Sequence, residues 1–142
     1  MRFIAFIAMI LAAGQGASAG ILAASHFCNK SLPNAFPARS AAASSGSQLA
    51  RALDNIGDDE RELKIRSELL AGNIPEFLRH LQPVVLRAQP GDERHTQITV
   101  CVMPDYLALG SDDDFLLIPM RLETALAVAY RYGFMQIGRA HV

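Results

Sequence analysis

The chain has 142 residues, enough for one domain with its own core. A formal net charge of -1, with charged residues at 19%, gives no electrostatic basis for binding nucleic acid or an anionic membrane surface. The hydrophobic fraction of 51% is inflated by alanine and by an N-terminal apolar run, so the core is thinner than that figure implies.

Met1-Arg2 forms a short positive start, and Phe3 to Ala13 is an apolar run. A bilayer span needs about 20 residues, so this run is of export-signal length. Ala17-Ser18-Ala19 fits the A-x-A cleavage rule. Residues 1–19 are therefore expected to be a signal helix cleaved before Gly20, leaving no stable membrane span and an exported, periplasmic or extracellular product. Ser25-His26-Phe27 ahead of Cys28 is a poor lipoprotein signal. Export places the two cysteines, Cys28 and Cys101, where one bridge could form. Cys101 sits mid-strand between Val100 and Val102, and a buried free thiol is the simpler account of it. Sequence leaves the pairing open.

Residues 20–46 read as a flexible spacer, interrupted by Pro33 and Pro37. Residues 47–136 read as an α+β domain. Ser47 is the expected N-cap of a first helix with Leu49, Leu53 and Ile56 on one side, ended by Gly57. Asp58 or Asp59 caps a second helix, with Leu63, Ile65, Leu69 and Leu70 as its apolar side. Glu60 with Lys64 and Glu62 with Arg66 are acid-before-base pairs on its wet face. Gly72-Asn73 closes it. Pro75 opens a third helix from Glu76 to Leu81, with Phe77, Leu78 and Leu81 inward. His80 at its end reads as a surface histidine. His26 and His95 have no ligand-spaced partner, so zinc has no support.

Pro83 to Ala88 and His95 to Met103 are β-branched runs expected to form an antiparallel hairpin around the turn Gln89-Pro90-Gly91-Asp92. Tyr106 to Gly110 is a short strand or bend, and Phe115 to Met120 another strand. Arg121 to Tyr132 reads as a helix with Leu122, Ala125, Leu126 and Ala129 inward. The expected fold is α+β: an N-terminal signal helix, a helical lead-in, and a small mostly antiparallel sheet with a C-terminal helix packed on it.

One cluster could carry chemistry. Ser111-Asp112-Asp113-Asp114 sets three carboxylates between two strands. Asp112 and Asp114 could hold a hard cation such as Ca²⁺ through oxygen ligands, and Asp105, Asp112, Asp113 and Asp114 are the candidate catalytic carboxylates. The spacing lacks the D-x-D-x-D-G loop with its distal Glu, and successive residues of an extended segment point to opposite faces. Turn and capping aspartates are the plainer alternative.

Ala71 to Arg79 and Pro104-Asp105-Tyr106-Leu107-Ala108-Leu109-Gly110-Ser111-Asp112-Asp113-Asp114-Phe115, followed by Ile118-Pro119-Met120 and Arg131-Tyr132-Gly133-Phe134, resemble an uncharacterised group of exported bacterial proteins. Its pattern is G-N-x-P-x-F-L-R and then P-D-Y-L-A-x-G-S-D-D-D-F. The resemblance covers roughly the second half and implies that the aspartate run belongs to the pattern. It implies no activity.

The last six residues, Ile137 to Val142, equal the translation of a common short-read sequencing-adapter start, ATC GGA AGA GCA CAC GTC. That match is expected of a draft or metagenomic reading frame truncated near Gln136, and it removes His141 from consideration. Two functions are compatible with these features. One is the N-terminal part of an envelope hydrolase-like enzyme acting on cell-envelope material. The other is a non-catalytic secreted binding or structural module.

Overall fold

The computed structural model describes residues 5–8, 28, 36–87 and 97–137. The expected turn over residues 89–92, His26, His95 and His141 lie outside them. In chain order the elements are β1 (Ala5–Ala8), α1 (Gly46–Asp54), α2 (Asp58–Leu70), a single 3-10 turn (Glu76–Arg79), β2 (Gln82–Arg87), β3 (Gln97–Val102), β4 (Ala108–Gly110), β5 (Phe115–Leu117), α3 (Leu122–Tyr132) and β6 (Met135–Ile137). The fold is α+β. Its strands form a four-stranded sheet in the order β2-β3-β1-β6 and a separate two-stranded sheet, β4-β5. Every pairing is antiparallel.

The β2–β3 hairpin runs in unbroken register from Gln82 opposite Val102 to Arg87 opposite Gln97. β1 is a departure from expectation. A signal helix is expected there, yet Ala5–Ala8 is a strand paired to β3 on one side and β6 on the other. A short run of apolar residues does not by itself separate helix from strand, and two unfilled strand edges favour the extended form. β6 ends at Ile137, the first residue of the adapter-like hexapeptide.

The core gathers Leu49 and Leu53 from α1, Ile65 and Leu69 from α2, Leu78 from the 3-10 turn and Val128 from α3, all buried. Two expected faces need correction. Leu63 is 67% exposed, and so are Leu122 (55%) and Leu126 (51%). On α2, a step of 100° per residue puts Leu63 about 200° from Ile65, on the far side of the helix. On α3 the inner face is Thr124, Ala125, Val128, Ala129 and Tyr132. Its two alanines permit closer approach than the leucines would.

Cys101 is fully buried and bridged to Cys28, with Cα atoms 5.5 Å apart. The free-thiol account is thereby overturned: a thiol reaching 1% exposure at Cys28 brings the two sulfurs together in the core. Residues 36–45 also differ from a loose spacer. Phe36 is buried and stacks on Tyr132, centroids 4.3 Å apart. Arg79 donates from Nη1 to the Phe36 carbonyl at 3.0 Å, and from Nη2 to those of Pro37 (2.9 Å) and Gly72 (3.0 Å). Its Nε lies 3.0 Å from Glu76 Oε2, but the N–H is not aimed at that oxygen.

The acidic loop as candidate functional site

Each aspartate of the candidate cluster has a definite place. Asp114 Oδ1 accepts from the Ser47 N–H at 2.8 Å and from the Ser47 hydroxyl at 3.0 Å. Its backbone carbonyl accepts from the N–H of Gly46 (2.8 Å) and of Ser111 (3.0 Å). The Gly46 and Ser47 donors belong to the first turn of α1, whose N–H groups have no partner within the helix. A carboxylate is favoured there by the helix dipole. The Ser45 hydroxyl, followed by the Ser47 N–H, holds the Asp114 carboxyl below its ordinary value of 3.8.

Helix α1 therefore starts earlier than Ser47. Ser45 is the N-cap, and it forms a capping box with Gln48, whose side chain accepts from the Ser45 N–H at 2.9 Å. Ser47 is released to bind the loop. Gly46 is required at this junction, because a Cβ would stand 2.5 Å from the Phe115 carbonyl carbon. That separation is shorter than any packing contact allows.

Asp112 turns elsewhere. Its Oδ1 accepts from the Phe77 N–H at 3.2 Å, at the start of the 3-10 turn. The Phe77 and Phe115 rings meet edge to face, centroids 5.4 Å apart. Asp113 is exposed. Asp105 Oδ1 accepts from the N–H of its neighbour Tyr106 at 2.7 Å, a local turn contact away from the loop. The structure thus does not bring the four carboxylates to one point. Asp112 and Asp114 are committed to different elements, 35 and 67 residues away in sequence. Among the described residues no group of three or more His, Cys, Asp or Glu side chains is placed to hold a metal ion. His80 is exposed.

The two patterned segments dock on each other. Gly110 N–H donates to the Asn73 carbonyl at 3.2 Å. Asn73 is buried. Its Oδ1 accepts from Arg39 Nε (2.9 Å), and its Nδ2 donates to the Ser44 carbonyl (3.0 Å) and to Glu68 Oε2 (2.8 Å). Gly72 adopts φ +77°, and a Cβ there would collide with the Pro37 carbonyl oxygen. Gly72 and Asn73, expected only to end a helix, are joints between α2, the residue 36–45 segment and β4.

Arg39 had no expected role, and Asn73 and Arg79 were expected only as a helix end and as members of the G-N-x-P-x-F-L-R pattern. The available signal was an asparagine directly after a helix-ending glycine, flanked by apolar residues that leave no water for its amide. Their distant partners, 29 to 43 residues away, carry no local signal. The chain matches no protein-family model, no curated protein and no solved structure.

Proposed function

We propose that the protein is an exported, non-catalytic binding or structural module of the cell envelope, in which the acidic loop is a clasp. The observation that carries this reading is the engagement of Asp114 and Asp112 with backbone N–H groups of α1 and of the 3-10 turn. A general acid or base must reach a substrate proton, and a calcium ligand must turn its oxygens toward one common point. Both carboxylates instead point an oxygen at N–H groups of their own fold. The buried Cys28–Cys101 bridge supports export, since such bridges persist in oxidising compartments.

Calorimetric titration with Ca²⁺, together with thermal melts, tests the reading. The expected result is no binding heat and an unchanged melting temperature at millimolar Ca²⁺. Saturable heat that disappears in Asp112→Asn would instead make the loop an ion site.

A further inference from the structure

β1 lies in the middle of the larger sheet, and its removal would open a slot. Ile7 is opposite Val102 and Ala8 opposite Cys101 on one side. Ala5, Phe6 and Ile7 are opposite Ile137, Gln136 and Met135 on the other. Both neighbours are antiparallel to β1, so β3 and β6 run parallel to each other, about two strand spacings or ~9.6 Å apart. They cannot pair directly without one of them moving by a full spacing.

Both walls are fixed from behind. β3 is paired to β2 along its other edge and bridged through Cys101 to Cys28. β6 follows directly from the left-handed Gly133, and Phe134 is buried, 5.6 Å from the Phe36 ring centroid. No charged residue stands at a paired position of either wall.

We propose that loss of residues 1–19 opens this slot, and that it takes an extended, uncharged apolar strand of another polypeptide, antiparallel to both walls. The proposal rests on the leader cleavage implied by the export reading above. The leader strand is the built-in occupant. After processing, the N–H and C=O groups that face β1, those of Cys101 on β3 and Met135 on β6, lose their partners and become a template for β-augmentation.

The test uses the full chain with Ile7→Pro, which removes an N–H from the middle of β1 and does not fit a central strand. The probe is a fluorescent, lysine-tailed peptide carrying the sequence of residues 3–10. The Ile7→Pro chain should bind it at least tenfold more tightly than the wild-type chain, whose slot is filled. The peptide with proline at its Ile7 position should bind at least tenfold more weakly. Equal binding by both chains, or by neither, overturns the proposal. So does dimerisation of the Ile7→Pro chain without peptide uptake, which would assign the slot to a second copy. Should circular dichroism show that Ile7→Pro does not fold, amide exchange at Cys101 and Met135, whose N–H groups face β1 because Pro83 opposite Cys101 has none to share, is followed in the wild-type chain before and after leader peptidase. Exchange should rise at least tenfold on cleavage and fall again with peptide; no recovery overturns the proposal. The N-terminal mass of the exported protein separates the two readings. A retained Met1 refutes cleavage, while the Ile7→Pro comparison still reports on the slot.

Discussion

At the residue scale, hydrogen bonds decide what the aspartates do. Asp114 is held ionised by the Ser45 hydroxyl and the Ser47 N–H, so its folded carboxyl is more acidic than in the unfolded chain. A depressed folded value contributes stability that is present above the ordinary 3.8 and is lost as pH falls through the folded value. Thermal melts from pH 6 to pH 2 should therefore show a steeper acid loss in the wild-type than in Asp114→Asn. Identical acid limbs would mean that the carboxylate is not engaged in solution. The aspartate run was legible in the sequence as a cluster, and turn chemistry was among its readings. Its partners were not legible, because Ser47 and Phe77 are remote along the chain. Arg79 shows the same limit: nothing local in Phe77-Leu78-Arg79 announces that the guanidinium gathers three carbonyls from two segments.

At the scale of elements, periodicity and caps were good guides to where helices and strands fall. The hairpin strands, the short strand before the acidic loop and the helix ending at Gly133 all stand within a few residues of expectation. Gly133 adopts φ +72° and the Phe134 N–H returns to the Ala129 carbonyl at 2.8 Å, as a glycine helix stop should. Which face turned inward was harder to read. On α3 the large apolar side chains Leu122, Leu126 and Tyr130 stand on the exposed side while small residues such as Ala125 and Ala129 face inward, so side-chain size pointed to the wrong face. Leu69 and Leu126 were both assigned inward, but Leu69 is fully buried and Leu126 is half exposed. Leu69→Ala should cost about 2–5 kcal/mol in chemical denaturation, whereas Leu126→Ala should stay within about 0.5 kcal/mol. Equal costs would show that α3 is rotated from the described orientation. The acid-base pairs on α2 were also redistributed. Lys64 pairs with Glu68 at 3.2 Å, and Glu62 Oε1 accepts from the Arg121 N–H at 3.0 Å, tying the start of α3 to α2.

At the scale of the molecule, long-range ties compensate for a modest core. The bridge joins residues 73 apart, and closing a loop of that size removes unfolded-state entropy equivalent to about 4 kcal/mol. Cys101→Ser together with Cys28→Ser should lower unfolding stability by about that amount; a change below about 1 kcal/mol would mean that the bridge adds little constraint. The α+β class was readable from the succession of patterns. The β2-β3-β1-β6 order was not, because it depends on a strand contributed by the apolar N-terminal run, where length and hydrophobicity describe a leader equally well. Residues 36–45 escaped notice for a related reason. Small and polar composition signals a spacer, while Phe36 and Arg39 act through residues that only the fold brings near.

On the proposed reading, Asp112 and Asp114 hold the fold together rather than bind an ion or act on a substrate. A double-mutant cycle of Ser47→Ala and Asp114→Asn, read as melting temperature with Ca²⁺ and with chelator, tests it most directly. A clasp predicts that each single change lowers the melting temperature, that the double change costs less than the sum, and that Ca²⁺ makes no difference. In an ion site, like carboxylates repel one another when the ion is absent. Asp114→Asn would then raise the melting temperature in chelator and abolish a Ca²⁺-dependent rise, and that result would contradict the account.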